Sequence, residues 1–385
     1  MVVALPFNGM RLRWIPLALL ALAPFLALAL RPGVEAQVRA VIVLSTTLRT
    51  PLLSWTVRQL TDEPRIEEVE IAGSPATLAR PGSNGPWPAI VFVNGATPLG
   101  RREPEVQDLA RGLARAGYLV LVPDLSGLKE GELSERTVEA TVAAARALAA
   151  RPDVLAGRVG FVGVSLGGTL ALLAAESPRL AGQISLVAAI APYTDLKEVI
   201  RLATTGYRRE GSLLIRYPTD PYVGLVVARS LAAALTPSAA QRALVARLAA
   251  IDDDDPDPLA GLRASAPSGL PPEAEPVVAL VANRDPRRFD ELYAALPAGL
   301  RSTIARLSPL ARARLLQAPV ELASPPRDKY FPVSQSRALA AAAPNARLTV
   351  TQAFAHVIPK PSLAHPVQLA RFDGWVLRSL RDAAG

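Results

Sequence analysis

The 385-residue chain contains no cysteine, so thiol catalysis, disulfides and cysteine metal sites are excluded. It has two histidines, too few for a multi-histidine metal centre. Lysine is almost missing: only Lys129, Lys197, Lys329 and Lys360 occur, so the +8 formal charge is carried by arginine. Those arginines are scattered and are not interleaved with aromatics, which make up only 5% of the chain. No basic stripe or nucleic-acid motif is present, and no nucleic-acid partner is expected. The 25 glycines and 36 prolines follow no fibrous repeat. Half of the residues are hydrophobic, enough to bury a sizeable core at this length and too many for a disordered chain.

The N-terminus reads as a targeting or anchoring segment. Arg11 and Arg13 precede an apolar run from Trp14 to Leu30, which ends at Arg31. Its 17 residues are at the short limit for crossing a bilayer. A basic stretch, an apolar stretch and then Val34-Glu35-Ala36 also fit a cleavable signal peptide. Residues 1–36 are therefore expected to be a signal or anchor, with an exported or membrane-anchored protein in the cell envelope and membrane association through this end. The other reading is a buried N-terminal helix of a soluble protein. Residues 37–64 are expected as an amphipathic segment, with Ala40 to Val57 as a helix at a membrane surface rather than a second span.

After Pro64 the pattern alternates. Ile66 to Ile71 and Ala76 to Arg80 read as a hairpin. Short apolar runs then recur at Ala89–Val93, Tyr118–Val122, Val159–Val162, Ile184–Ala191, Val320–Ala323 and Leu348–Thr351, as parallel strands covered on both faces do. Helical patterns separate them at Glu103–Ala116, Glu135–Ala150, Leu166–Ala175, Ser334–Ala342 and His365–Arg381. The expectation is an α/β fold with a doubly wound, mostly parallel sheet, its core formed by 65–192 and 318–385. Residues 193–317 break the rhythm. They are too long for a plain loop and read as a mostly helical cap, with helices at Leu225–Leu235, Ala239–Ile251, Arg287–Leu296 and Leu300–Leu316. Val277–Val281 could form a strand within it.

The chemistry is carried by Gly163-Val164-Ser165-Leu166-Gly167, between a strand and a helix. This Gly-x-Ser-x-Gly turn exposes a serine hydroxyl, and larger side chains at the two glycines would collide with the flanking strand and helix. It also aims free helix N–H groups at developing negative charge. A serine needs a positioned base. His356 follows the strand Leu348–Thr351, whereas His365 opens the last helix before Pro366, which suits a surface position. The acid that orients the imidazole is expected to be Asp328, after strand Val320–Ala323, with Asp195 as the alternative. The backbone N–H groups of Ala96 and Leu166 are the candidates for the oxyanion hole.

At these residues the chain resembles the α/β-hydrolase superfamily, from about Ile66 to its C-terminus. The resemblance rests on Asn94-Gly95, the turn at Ser165, Ser308-Pro309-Leu310, Asp328 with Pro332, and His356. The order Ser165, Asp328, His356 matches the chain order of that architecture. It is most similar to the dienelactone-hydrolase-like and prolyl-oligopeptidase-like branches. Two departures stand out: Asn94-Gly95 replaces the frequent His-Gly, and Ser165 stands where dienelactone hydrolases use cysteine. The resemblance implies a serine hydrolase acting on a small-molecule carboxylic ester by acyl-enzyme chemistry, without a cofactor or metal. A peptidase of the same fold and a catalytically silent binding protein are the alternatives. The acidic run Asp252-Asp253-Asp254-Asp255-Pro256-Asp257 reads as a solvated turn, and Trp55, Trp87 and Trp375 as packing residues.

Overall fold

A computed structural model describes residues 32–385 apart from 48–50, 98, 130, 132, 266–271, 273 and 360–364. The expected span Trp14–Leu30 lies outside the described residues. Among the described residues no helix is long and apolar enough to cross a membrane.

Eight strands form one sheet: β1 (Arg65–Ile71), β2 (Ser74–Arg80), β3 (Trp87–Val93), β4 (Leu119–Pro123), β5 (Val154–Val164), β6 (Ile184–Ile190), β9 (Val320–Ser324) and β10 (Ala346–Val350). Their spatial order is β1-β2-β4-β3-β5-β6-β9-β10. β2 runs antiparallel to both neighbours, and all pairs from β4 to β10 are parallel. Strands β3 and β4 are buried along nearly their whole length, as double coverage requires. Alternate residues feed two cores. Val91, Val93, Phe161 and Ala189 face α4 (Glu135–Ala149) and α5 (Leu166–Ala175). Ile90, Phe92, Leu186 and Ala188 face α3 (Pro104–Arg115) and the C-terminal helix α14 (Pro366–Ala383). This is the expected doubly wound sheet.

The N-terminal stretch forms two helices, α1 (Pro32–Thr47) and α2 (Pro51–Leu60), in place of one surface helix. The second opens on Pro51, and proline is tolerated in a first helical turn. The expected boundary after residue 36 falls within α1, where Ala36 is buried. Ala40, Ile42 and Val43 are buried against the sheet's second core. Gly112 makes this docking close, since a Cβ there would lie 3.2 Å from the Val43 carbonyl oxygen. The Tyr118 hydroxyl accepts from Arg39 Nη1 (3.2 Å) and donates to the Leu380 carbonyl (2.6 Å), joining α1 and α14.

The segment 193–317 contains α6 (Leu196–Thr205), a hairpin of β7 (Tyr207–Glu210) and β8 (Leu213–Arg216), then α7 (Pro221–Ala233), α8 (Ala239–Ala249), α9 (Ala260–Ala264), α10 (Ala274–Ala282), α11 (Phe289–Ala295) and α12 (Ala298–Arg306). Besides α6 and α9, which lie outside the expected helices, three features differ from expectation. Val277–Val281 lies in α10, with Val277, Val278, Leu280 and Val281 buried as helical neighbours. The helix expected over Leu300–Leu316 ends at Arg306, because Pro309 cannot continue it, and a 3₁₀ turn follows over Pro309–Leu315. The β7–β8 hairpin was not expected: Tyr207-Arg208-Arg209-Glu210 lacks an apolar alternation, although Gly211-Ser212 and the apolar Leu213-Leu214-Ile215 carry a turn and a strand signal. Val199, Val223 and Leu231 join the same apolar cluster as the sheet, so these helices pack on the core.

Candidate active site

Ser165 sits between β5 and α5 with φ +54° and ψ −125°, a backbone conformation that non-glycine residues rarely adopt. Its strain is held from both sides. The Ser165 N–H donates to the Ile190 carbonyl on β6 at 2.8 Å. A Cβ on Gly163 would lie 2.7 Å from the Gly168 Cα, and one on Gly167 would lie 2.7 Å from the Val93 carbonyl carbon. Both positions are therefore closed to any side chain. The outcome is a serine hydroxyl at the C-terminal edge of the sheet, where the strand ends and the first N–H groups of a helix converge.

His356 belongs to a small hairpin. Phe354 pairs with Pro359 and Ala355 with Ile358, so His356 and Val357 make a two-residue turn. His356 takes φ +50°, as the first residue of such a turn often does. That turn sets His356 Nε2 2.9 Å from Ser165 Oγ and Nδ1 2.8 Å from Asp328 Oδ2. The Asp328 side chain is fully buried. Its other oxygen accepts the N–H groups of Tyr330 (2.8 Å) and Phe331 (3.2 Å). These bonds fix the carboxylate's rotation toward the imidazole. The Tyr330 ring lies 4.4 Å from the His356 ring, centre to centre.

Asp195 and His365 lie elsewhere. Asp195 caps α6, accepting from the Glu198 N–H at 3.3 Å. Burial pushes its carboxyl above the ordinary carboxylate value, with the Glu198 N–H pulling the other way. His365 is exposed at the start of α14.

One residue that sequence reasoning missed is Tyr217. Its hydroxyl donates to the Asp328 carbonyl (2.6 Å) and accepts the Asp328 N–H (3.1 Å). Next to it, Asp220 N–H and Thr219 Oγ1 donate to the Lys329 carbonyl at 2.7 and 2.9 Å. The segment 193–317 thus clamps the acid's loop. The partners are about 110 positions apart, and no local spacing could have signalled them.

Ala96 and Leu166 both line the cavity at Ser165. Leu166 opens α5, so its N–H is among those with no acceptor inside the helix. Asn94 is buried, and its side-chain amide donates to the Gly95 carbonyl at 2.8 Å. The peptide between Gly95 and Ala96 is planar and trans, so holding the Gly95 oxygen on one side turns the Ala96 N–H to the other. The Asn94 side chain thus holds the Gly95–Ala96 peptide in one orientation.

The cavity around Ser165 has a volume of about 1110 Å³ and a mostly apolar lining. Among the described residues no group of histidines and carboxylates could hold a metal ion. In the acidic run, Asp253 pairs with Arg229, and Asp257 with Arg263 and Arg284.

Residues 75–255 match the family model of X-Pro dipeptidyl-peptidases, the S15 family. A curated protein of Bradyrhizobium sp., named as a probable 2-oxo-3-(5-oxofuran-2-ylidene)propanoate lactonase, is 32% identical over 120 residues. That match covers 27% of this chain and 47% of the relative, so the chain spans about half the length of the curated relative it matches. Among solved structures, a Pyrococcus furiosus esterase is 16% identical with a TM-score of 0.45, covering 86% of this chain and 97% of its own. A 2,6-dihydroxy-pseudo-oxynicotine hydrolase is 15% identical with a TM-score of 0.44, covering 87% of this chain and 73% of its own.

Proposed function

We propose that this chain, whose fold is that of the α/β-hydrolases, cleaves carboxylic esters through an acyl-enzyme on Ser165. His356 takes the Ser165 proton as Oγ attacks the ester carbonyl, and later gives it to the leaving alcohol. Asp328 holds the imidazole in the tautomer whose Nε2 can accept. The N–H groups of Ala96 and Leu166 receive the oxyanion. Water then resolves the acyl-enzyme, with His356 again as the base.

The observation that carries this reading is the continuous path from Ser165 Oγ through His356 to the buried Asp328, at 2.9 and 2.8 Å. The apolar lining favours an ester over a peptide. A peptide brings an N–H and a C=O at each residue, and burying them unpaired costs roughly 1–3 kcal/mol per group. The relative named as a lactonase supports ester chemistry too, a lactone being a cyclic ester. The S15 match over 75–255 favours a second reading, a peptidase.

A panel of p-nitrophenyl acyl esters and dipeptidyl p-nitroanilides separates them. The expected result is ester turnover at least tenfold above anilide turnover, lowered by about 10⁴-fold or more in Ser165→Ala. Anilide turnover above ester turnover supports the peptidase. Unchanged turnover in a folded Ser165→Ala protein rejects both.

A further inference from the structure

The cavity at Ser165 is lined from both sides of the sheet. One arm lies under the segment 193–231, with Tyr193, Val199, Tyr222 and Leu231 in its wall. The other lies on the opposite face. Its floor is Phe92, Val162 and Ala188, and its roof comes from Val43 of α1, Leu109 of α3 and Trp375 of α14. Phe92, Ala188, Val43 and Trp375 belong to the second apolar core, and Tyr193, Val199 and Leu231 to the first. The two arms therefore meet only at the C-terminal edge of the sheet, where Ser165 and His356 stand.

The second arm has α14 as one wall. Trp375 and Ser379 are four residues apart on α14, and so on one face of it. Each is 5% exposed, and both line the cavity. Trp375 Nε1 and Ser379 Oγ have no hydrogen-bond partner among the described residues. Buried polar atoms in a closed core are nearly always paired. These two atoms are closed off within the packing of α14 on the sheet, while other atoms of the same two side chains line the cavity.

We propose that this arm binds an extended apolar chain on one side of the scissile ester bond, and that α1 serves as its roof. The proposal rests on the esterase reading above and adds the substrate class: esters with a long aliphatic group rather than small acetyl or methyl esters. It also gives α1 a task, since its Val43 forms part of the wall. Each methylene moved from water into such an arm is worth about fourfold in binding. A chain of several methylenes should gain far more than tenfold before the arm is full.

Two ester series test this and separate the two sides of the bond: p-nitrophenyl esters from acetate to octanoate, and acetate esters from ethyl to octyl. In the full chain, kcat/KM should rise at least tenfold along one series, and the rising series identifies the side the arm accepts. Ser379→Leu fills the arm and removes an unpaired hydroxyl, and Leu109→Trp fills it from α3. In each variant the ratio of long-chain to short-chain kcat/KM should fall at least tenfold. Because that ratio is taken within one variant, a partial loss of folded protein leaves it unchanged. A flat profile in both series, or a chain-length preference that survives both variants, overturns the arm while leaving the esterase reading in place. Absence of turnover on every ester, short ones included, overturns the esterase reading and the arm with it.

Discussion

At the turn around Ser165, one added carbon on Gly163 or Gly167 would run into backbone atoms of α5 or β3. In the segment 193–317, a carbon added to Gly211 or Gly299 meets nothing within 4 Å. The turn is specified atom by atom, because a serine held at φ +54° leaves its neighbours no freedom. The segment 193–317 covers the sheet through apolar side chains such as Val199, Val223 and Leu231, and holds tighter positions at Gly224 and Gly261 beside the open ones. The molecule thus joins a turn with no spare room to a segment that has some. Tyr217, Thr219 and Asp220 are exceptions within that segment, since they grip the backbone of Asp328 and Lys329.

Asn94→Ala sharpens the contrast most. Asn94 touches no reacting atom, yet it fixes the peptide that carries the Ala96 N–H. Losing a direct oxyanion donor costs about 10²–10³ in kcat. Loosening one should cost less, about ten- to a hundredfold in kcat, with KM nearly constant. Steady-state kinetics on one good ester would check it. A change confined to KM would mean that the Gly95–Ala96 peptide is held by other contacts.

A smaller effect is expected far from the turn. Glu176 follows α5 and is buried beside Arg312, whose Nε is 3.1 Å from Oε2. Burial pushes its carboxyl up to about 8, well above the ordinary carboxylate range, against the opposing pull of Arg312. The folded protein therefore holds this proton to higher pH than the unfolded chain does. Its contribution to stability is complete below about pH 4.5 and is lost as the pH rises toward 8. In Glu176→Gln, the fall in Tm between pH 5 and pH 8 should be smaller than in the wild type. An identical fall in both proteins would show that Arg312 neutralises the carboxylate fully.

How much of this could be read from the sequence follows the same division. The strands β3 to β6, the turn at Ser165, and His356 over His365 were legible because each depends on local features: apolar runs, close-packed glycines, and position after a strand. The chain order of Asp328 was legible through resemblance. The start of α2 and the hairpin β7–β8 were missed although signals were present: Pro51 suits a first helical turn, and Gly211-Ser212 precedes the apolar Leu213-Leu214-Ile215. Trp375 is the packing residue expected, buried in the second core and stacked on Phe372, and it also borders the cavity, which composition could not show. The roof of the second arm draws on Val43, Leu109 and Trp375, residues brought together only by the folded sheet.

The central claim is that His356, and not His365, activates Ser165. Labelling with a fluorophosphonate, followed by intact mass and peptide mapping, measures this without choosing a substrate. The account predicts one adduct, on Ser165, in the wild type. It predicts labelling slowed by about 10³-fold or more in His356→Gln, and labelling close to the wild-type rate in His365→Gln. Equal labelling rates in the wild type and a folded His356→Gln protein, or an adduct on any other residue, would contradict it.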